Sequence, residues 1–272
     1  MKQDTGTVQL FYETHGHEAG NGRPWIVFSH SLACTSEMWR PQIDSFARTH
    51  RVLLFDTRGH GRSDCPEGPY TMEELGQDAA DLLKALNIDN AHFVGLSMGG
   101  MIGQELALNH PEMVVSLTIA DSTSRWPPGA IELFAGRARQ GVEAGMDSLV
   151  KATLERWFTP AYHRTNPEDV AKIGDMIRST PVTGYAGCSH AIPRINYTHR
   201  LKEISCPVLV LVGAQDAGTV PALSYEIHEN CPGSELFEIE NASHLSNVEQ
   251  PEAFNRVLSE FLKRQEGPAL PA

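Results

Sequence analysis

Six short apolar runs recur along the chain: "WIVFS" at 25–29, "RVLLF" at 51–55, "HFVGL" at 92–96, "SLTIA" at 116–120, "PVLVLVG" at 207–213 and "ELFEIE" at 235–240. Several are separated by helical patterns. In "TMEELGQDAADLLKAL", residues 71–86, the side chains of Leu75, Ala79, Leu82, Leu83 and Leu86 fall on one face. Short runs that are apolar throughout suit strands buried on both sides. Their alternation with helices predicts an α/β fold, a mostly parallel central sheet flanked by helices.

The rhythm stops between residues 122 and 205. This interval reads as helices, carries Trp126, Phe134, Trp157, Phe158, Tyr162 and Tyr185, and has no convincing buried strand. It is expected to be a helical lid, or cap, inserted into a core domain formed by residues 1–121 and 206–272. The tail "RQEGPALPA" reads as frayed.

Composition narrows the function. A formal charge of -12 repels polyanions, so nucleic acid is not an expected partner. No run of about eighteen apolar residues is present to cross a membrane, and the opening "MKQDTG" lacks the apolar centre of a secretory signal. A cytoplasmic protein without membrane association is expected. Five cysteines, scattered without a CxxC pair, read as reduced thiols and not as a zinc site. The expected partner is a small-molecule substrate, with no cofactor or metal, and homo-oligomerisation is left open.

In "HFVGLSMGGMIGQELAL", residues 92–108, a strand pattern gives way to a helix pattern at Ser97. Gly95-Leu96-Ser97-Met98-Gly99 is a G-x-S-x-G, whose small residues relieve crowding in a sharp turn that exposes a nucleophilic serine. The N–H of Met98, at the start of the helix, would face an oxygen that becomes negative beside Ser97. The plainer reading is a serine that caps a helix.

A serine nucleophile needs a histidine base held by a carboxylate, in chain order Ser, Asp or Glu, His for this arrangement. "VLVLVGAQDAGTVP" sets Asp216 just past a strand, and "IENASHLSNVEQPEAF" sets His244 in the loop after the next one. Asp121, after "SLTIA", is a rival for the acid or an anchor for the lid. His15, His17, His50, His163 and His228 lie in polar stretches and read as surface. The loop "HSLACTSEMW" supplies Leu32, whose backbone N–H is the second oxyanion donor, with His30 shaping the turn.

With "SHSLACTSEMW", "FDTRGHGRSD", "VGLSMGG", "VGAQD" and "ASHLSNVEQPEAF" in order, the chain resembles the α/β-hydrolases over essentially its full length, and most closely the 3-oxoadipate enol-lactonases. The lid stretches "TLERWFTPAY" and "GYAGCSHAI" share that likeness. The resemblance implies a cofactor-free hydrolase opening a small carboxylated lactone in bacterial aromatic degradation. Ser97, Asp216 and His244 match the triad positions, and Leu32 and Met98 the oxyanion donors. Ala33 stands where a glycine is expected, and "DAGTVP" and "PRINYTHR" also depart from the usual runs, which fits a shifted specificity.

A substrate carboxylate wants a cation, for which Arg137, Arg139 and His190 of the lid are candidates, while Trp126, Trp157 and Tyr185 are candidates to line the pocket. Fold and triad do not define the acyl group. A broader carboxylesterase, lactamase or perhydrolase is therefore the first alternative, and a ligand-binding receptor on a hydrolase scaffold the second.

Overall fold

The structure is a computed structural model in which residues 1–16 and 22–265 are described; His17 and the tail residues 266–272 lie outside them. In chain order the core begins with β1 (Lys2–Asp4), β2 (Gln9–His15), β3 (Trp25–Ser29), α1 (Arg40–Phe46), β4 (Arg51–Phe55), α2 (Met72–Ala85), β5 (Ala91–Leu96), α3 (Met98–Asn109) and β6 (Val114–Ala120). Five helices follow: α4 (Ala130–Ala144), α5 (Asp147–Trp157), α6 (Pro160–Thr165), α7 (Pro167–Ser179) and α8 (Val182–Ala191). The chain then closes with β7 (Val208–Gly213), α9 (Pro221–Asn230), β8 (Glu235–Ile239), α10 (Ser246–Glu249) and α11 (Pro251–Gln265).

The strands form one sheet in the order β1-β2-β4-β3-β5-β6-β7-β8. From β4 to β8 every pairing is parallel, while β1 and β2 add an antiparallel edge. All six residues of β5 are buried, which explains its unbroken apolar run between two neighbouring strands. β2 alternates poorly and is half exposed, so its sequence carries a weaker signal than the parallel strands.

The α2 stripe meets the core through Leu75, Ala79, Leu82 and Leu83, all buried, with Leu86 half buried just past the helix end. Thr71 starts this helix in a capping box: its hydroxyl accepts the Glu74 N–H at 3.1 Å and Glu74 accepts the Thr71 N–H at 2.8 Å. Losing such a cap costs about 1 kcal/mol. Truncating one of the buried leucines to alanine would cost about 2 to 5 kcal/mol.

The five-helix segment is closed at its neck by a bridge between Arg125 and Asn196 and by the Tyr197 N–H donating to the Ser124 carbonyl at 2.7 Å. Its last helix, α8, meets the core backbone to backbone. A Cβ at Gly184 would collide with the Gly59 carbonyl, and one at Gly187 would lie 2.6 Å from the Tyr70 ring. His50 does not lie on the surface as its polar surroundings suggest. It is 4% exposed, because the turn into β4 tucks it beneath the sheet, edge-on to Phe46 and His92.

Candidate active site

Ser97 occupies the single-residue turn between β5 and α3, with φ 55° and ψ -113°. A non-glycine residue in that region costs about 1 to 3 kcal/mol, a strain tolerated where surrounding structure fixes it. The fixing is visible: Ser97 donates its N–H to Ala120 O at 2.8 Å and accepts the Ser122 hydroxyl on its own carbonyl at 2.7 Å. A Cβ at Gly95 would collide with the Gly99 carbonyl, and one at Gly99 with that of Ser29. The Ser97 side chain makes no capping hydrogen bond to α3. The capping role considered for it is therefore not what the turn is built for.

Asp216 follows β7 and His244 follows β8, on the edge of the sheet where β5 delivers Ser97. Nδ1 of His244 lies 3.1 and 3.0 Å from the two Asp216 carboxyl oxygens. The Asp216 side chain is itself oriented by the N–H groups of Gly218 at 2.6 Å and Thr219 at 3.0 Å, and by the Thr219 hydroxyl at 2.8 Å. With Nδ1–H donating to the carboxyl, Nε2 is left as the acceptor a base requires. The Trp157 ring lies over His244 with centroids 5.7 Å apart.

Asp121 reaches the same edge and has no bond to His244. Its oxygens take the Gly213 N–H at 2.7 Å and the Ser246 hydroxyl at 2.5 Å. It anchors the loops carrying Asp216 and His244, not the lid. Burial, and then the nearby Asp216, push its carboxyl well above the usual carboxylate range.

Leu32 and Met98 carry backbone N–H groups with no acceptor among the described residues. Next to Leu32, Ala33 is held with φ 59°, which accounts for the glycine expected there. The loop is pinned from below by two buried histidines. His60 accepts the Ala33 N–H on Nε2 at 3.0 Å and donates Nδ1–H to Arg58 O at 3.2 Å. His30 donates to Ser31 O at 2.8 Å and accepts the Thr57 N–H at 2.9 Å. Burial pushes the His60 imidazole down to about 3, aided by His30, and lowers His30 as well.

Ser97, His244 and Leu32 line a cavity of about 50 Å³, walled on the other side by the helices between β6 and β7. Trp126, Arg137, Trp157 and Tyr185 lie in that wall, together with Arg156. Neither arginine forms an ion pair among the described residues; Arg137 stacks 5.5 Å from Phe134 and Arg156 donates to the Thr153 hydroxyl at 3.2 Å. Burial, then the charge of Arg137, lower the Arg156 guanidinium. Larger grooves of about 910 and 550 Å³ lie elsewhere and contain neither Ser97 nor His244.

Residues 24–251 match the α/β-hydrolase fold family. The chain belongs to that family. The hydrolase is 38% identical to 3-oxoadipate enol-lactonase 2 of Acinetobacter baylyi over 96% of its own length and 97% of the relative's. Among solved structures it superposes on the enol-lactonase from Burkholderia xenovorans LB400 with TM-score 0.93 and 36% identity, covering 97% of this chain and 100% of that one. A thermophilic esterase from Thermogutta terrifontis, in a malate-bound structure, aligns with TM-score 0.90 and 29% identity over 97% and 98% of the two chains. The likeness to 3-oxoadipate enol-lactonases seen in the motifs thus extends across nearly the whole hydrolase.

Two pocket candidates fall away from the cavity of the hydrolase. Arg139 is exposed, because two positions along α4 from Arg137 is about 200° around the helix. His190 lines the 550 Å³ groove instead, with Nδ1 3.2 Å from the Tyr70 carbonyl oxygen. Arg156 and His60 are the residues that sequence reasoning missed. For Arg156 the signal was present: it stands three positions from Thr153, on the buried side of α5. No helix among the described residues is long and apolar enough to cross a membrane, and none of their His, Cys, Asp and Glu side chains gather in a group that could hold a metal.

Proposed function

We propose that this hydrolase opens a small lactone carrying a carboxylate, through an acyl-enzyme on Ser97. The observation that carries the reading is the pairing, in one small cavity, of a strained-turn serine beside a carboxyl-held histidine with two guanidinium groups that have no counter-ion among the described residues. Both arginines are half-buried, and a half-buried cation beside an apolar wall is well complemented by a ligand carboxylate, which a guanidinium binds through charge-assisted hydrogen bonds. The relatives named 3-oxoadipate enol-lactonase 2 and enol-lactonase support the same substrate class. In this reading residues 122–205 act as the lid over a core of residues 1–121 and 206–272.

Ser97 Oγ attacks the lactone carbonyl as its proton passes to His244, and the oxyanion takes hydrogen bonds from the Leu32 and Met98 N–H groups. Collapse of the tetrahedral adduct breaks the ring C–O bond; His244 returns its proton to the enol leaving group, which stays tethered to the acyl chain. Water, losing a proton to His244, then attacks the acyl carbon; collapse breaks the acyl–Oγ bond as His244 returns that proton to Ser97. Because the enol remains attached, one product leaves, a keto acid. Asp216 holds the imidazole in the reacting tautomer.

A broader carboxylesterase is the second reading, favoured by the likeness to the Thermogutta esterase. The discriminating measurement is kcat/KM on a carboxylated enol lactone beside a neutral ester of equal acyl length. A clear preference for the lactone is expected, and an equal or inverted preference sinks the lactonase reading.

A further inference from the structure

Glu249 is 4% exposed at the end of α10, and its carboxyl joins two separate parts of the chain. On one side it accepts the Thr159 N–H, at 3.1 and 3.4 Å to its two oxygens, and a short bond from the Thr159 hydroxyl. On the other it accepts, at 2.9 Å, the N–H of Ser243, the residue before His244. Thr159 lies two residues beyond the end of α5, the helix that carries Arg156 and Trp157.

The contact is wider than one side chain. The Ser243 hydroxyl bridges Arg156 O at 3.0 Å and Gln215 O at 3.1 Å, and the Leu245 N–H donates to Trp157 O at 3.2 Å. Both neighbours of His244 are thus bonded to the end of α5, and one of them also to the residue before Asp216. A carboxyl suits the centre of this knot because every group facing it is a donor. An amide there would turn an N–H toward a donor and leave at least one buried group unpaired.

We propose that Glu249 is a positioning residue that locks the arginine-bearing end of α5 to the histidine loop, so that a substrate carboxylate held by Arg156 sets the distance from the reacting carbonyl to Ser97 and His244. The proposal rests on the reading of Arg156 as a carboxylate anchor. Catalytic geometry is sensitive at this scale, since a displacement of about 1 Å costs on the order of a hundredfold in rate.

The test uses the full chain, with active sites counted by stoichiometric reaction with a fluorophosphonate. Glu249→Gln and Thr159→Val are compared with wild type on a carboxylated enol lactone and a neutral short-chain ester. Expected is a fall in kcat per titrated site on both substrates, about ten- to hundredfold for Glu249→Gln and smaller for Thr159→Val. On the lactone alone KM also rises, and that rise vanishes in an Arg156→Ala background. Values of kcat per site within twofold of wild type on both substrates, even with a lowered Tm, overturn the proposal. If Glu249→Gln does not fold, Thr159→Val carries the same comparison. An Arg156→Ala variant that keeps its preference for the carboxylated substrate overturns the anchor reading instead, and is read independently of the kcat change.

Discussion

Arg137 and Arg156 reach the Ser97 cavity from different helices, α4 and α5, and burial, then the charge of the first, lower the guanidinium of the second. Two cations that repel each other beside an apolar wall are stabilised together by one anion. A charge-assisted hydrogen bond contributes about 1.5 to 3 kcal/mol, or roughly ten- to hundredfold in binding. Arg137→Ala and Arg156→Ala should therefore each reduce kcat/KM on a carboxylated lactone by that order while changing it little on a neutral ester. A parallel loss on both substrates would remove the arginines from recognition.

Asp216 and Asp121 are separable by the same substitution. Asp216→Asn removes the carboxylate charge and lets an amide NH2 face His244 Nδ1, which favours the wrong tautomer, and is expected to lower kcat by about 10³- to 10⁴-fold. Asp121 is driven toward its neutral form, chiefly by burial, and an amide can still accept from the Gly213 N–H and donate to the Ser246 hydroxyl. Asp121→Asn should stay within about tenfold of wild type. Side-by-side steady-state rates decide it, and a collapse at 121 with a mild effect at 216 would reverse the assignment.

Buried histidines set the acid limit of stability. Burial pushes His60 down to about 3 and His92 to about 4 from an ordinary value of 6.5. Below about pH 6.5 the unfolded chain takes up protons that the native state refuses, so stability is full above that pH and drains as it falls toward the folded values. Each such group contributes a slope approaching about 1.4 kcal/mol per pH unit. Denaturation midpoints measured from about pH 7.5 down to about 4.5 should fall, and His60→Asn should make the slope shallower by about one proton. An unchanged slope in the variant would exclude His60 as a source.

Ala33 sits at φ 59°, where its Cβ is crowded. Ala33→Gly should stabilise the fold by about 0.5 to 1 kcal/mol, the relief of a left-handed alanine less the extra freedom glycine has when unfolded. Calorimetry reads this directly, and a lowered Tm would show that the loop needs the methyl group.

The core was legible because the central parallel strands are buried on both faces and so are written as continuous apolar runs, as β5 and β7 show, while the outer β8 is largely exposed. β2 escaped notice because this antiparallel strand, between the short β1 and β4, is only partly buried and mixes polar residues into its pattern. The placement of Ser97, Asp216 and His244 at one edge of the sheet could be read in advance because each ends or follows a strand, and strand ends are fixed in sequence. Arg139 and His190 could not be sorted, since which residues of the helices between β6 and β7 face a cavity depends on helix phase and on the docking of one helix against another. His60 belongs to the same class: its partner, Ala33, is 27 residues away and is met only in three dimensions.

The glycine seam between α8 and the core loop divides the roof of the site into a fixed part and a variable one. Gly184 and Gly59 touch through their main chains, so any side chain introduced at either position must displace backbone. The helices α4 and α5 instead present the side chains of Arg137 and Arg156 to the cavity. Redesign of substrate range in this scaffold should therefore exchange side chains at positions 137 and 156 and leave 184 and 187 untouched, for α8 is the abutment between the core and α4.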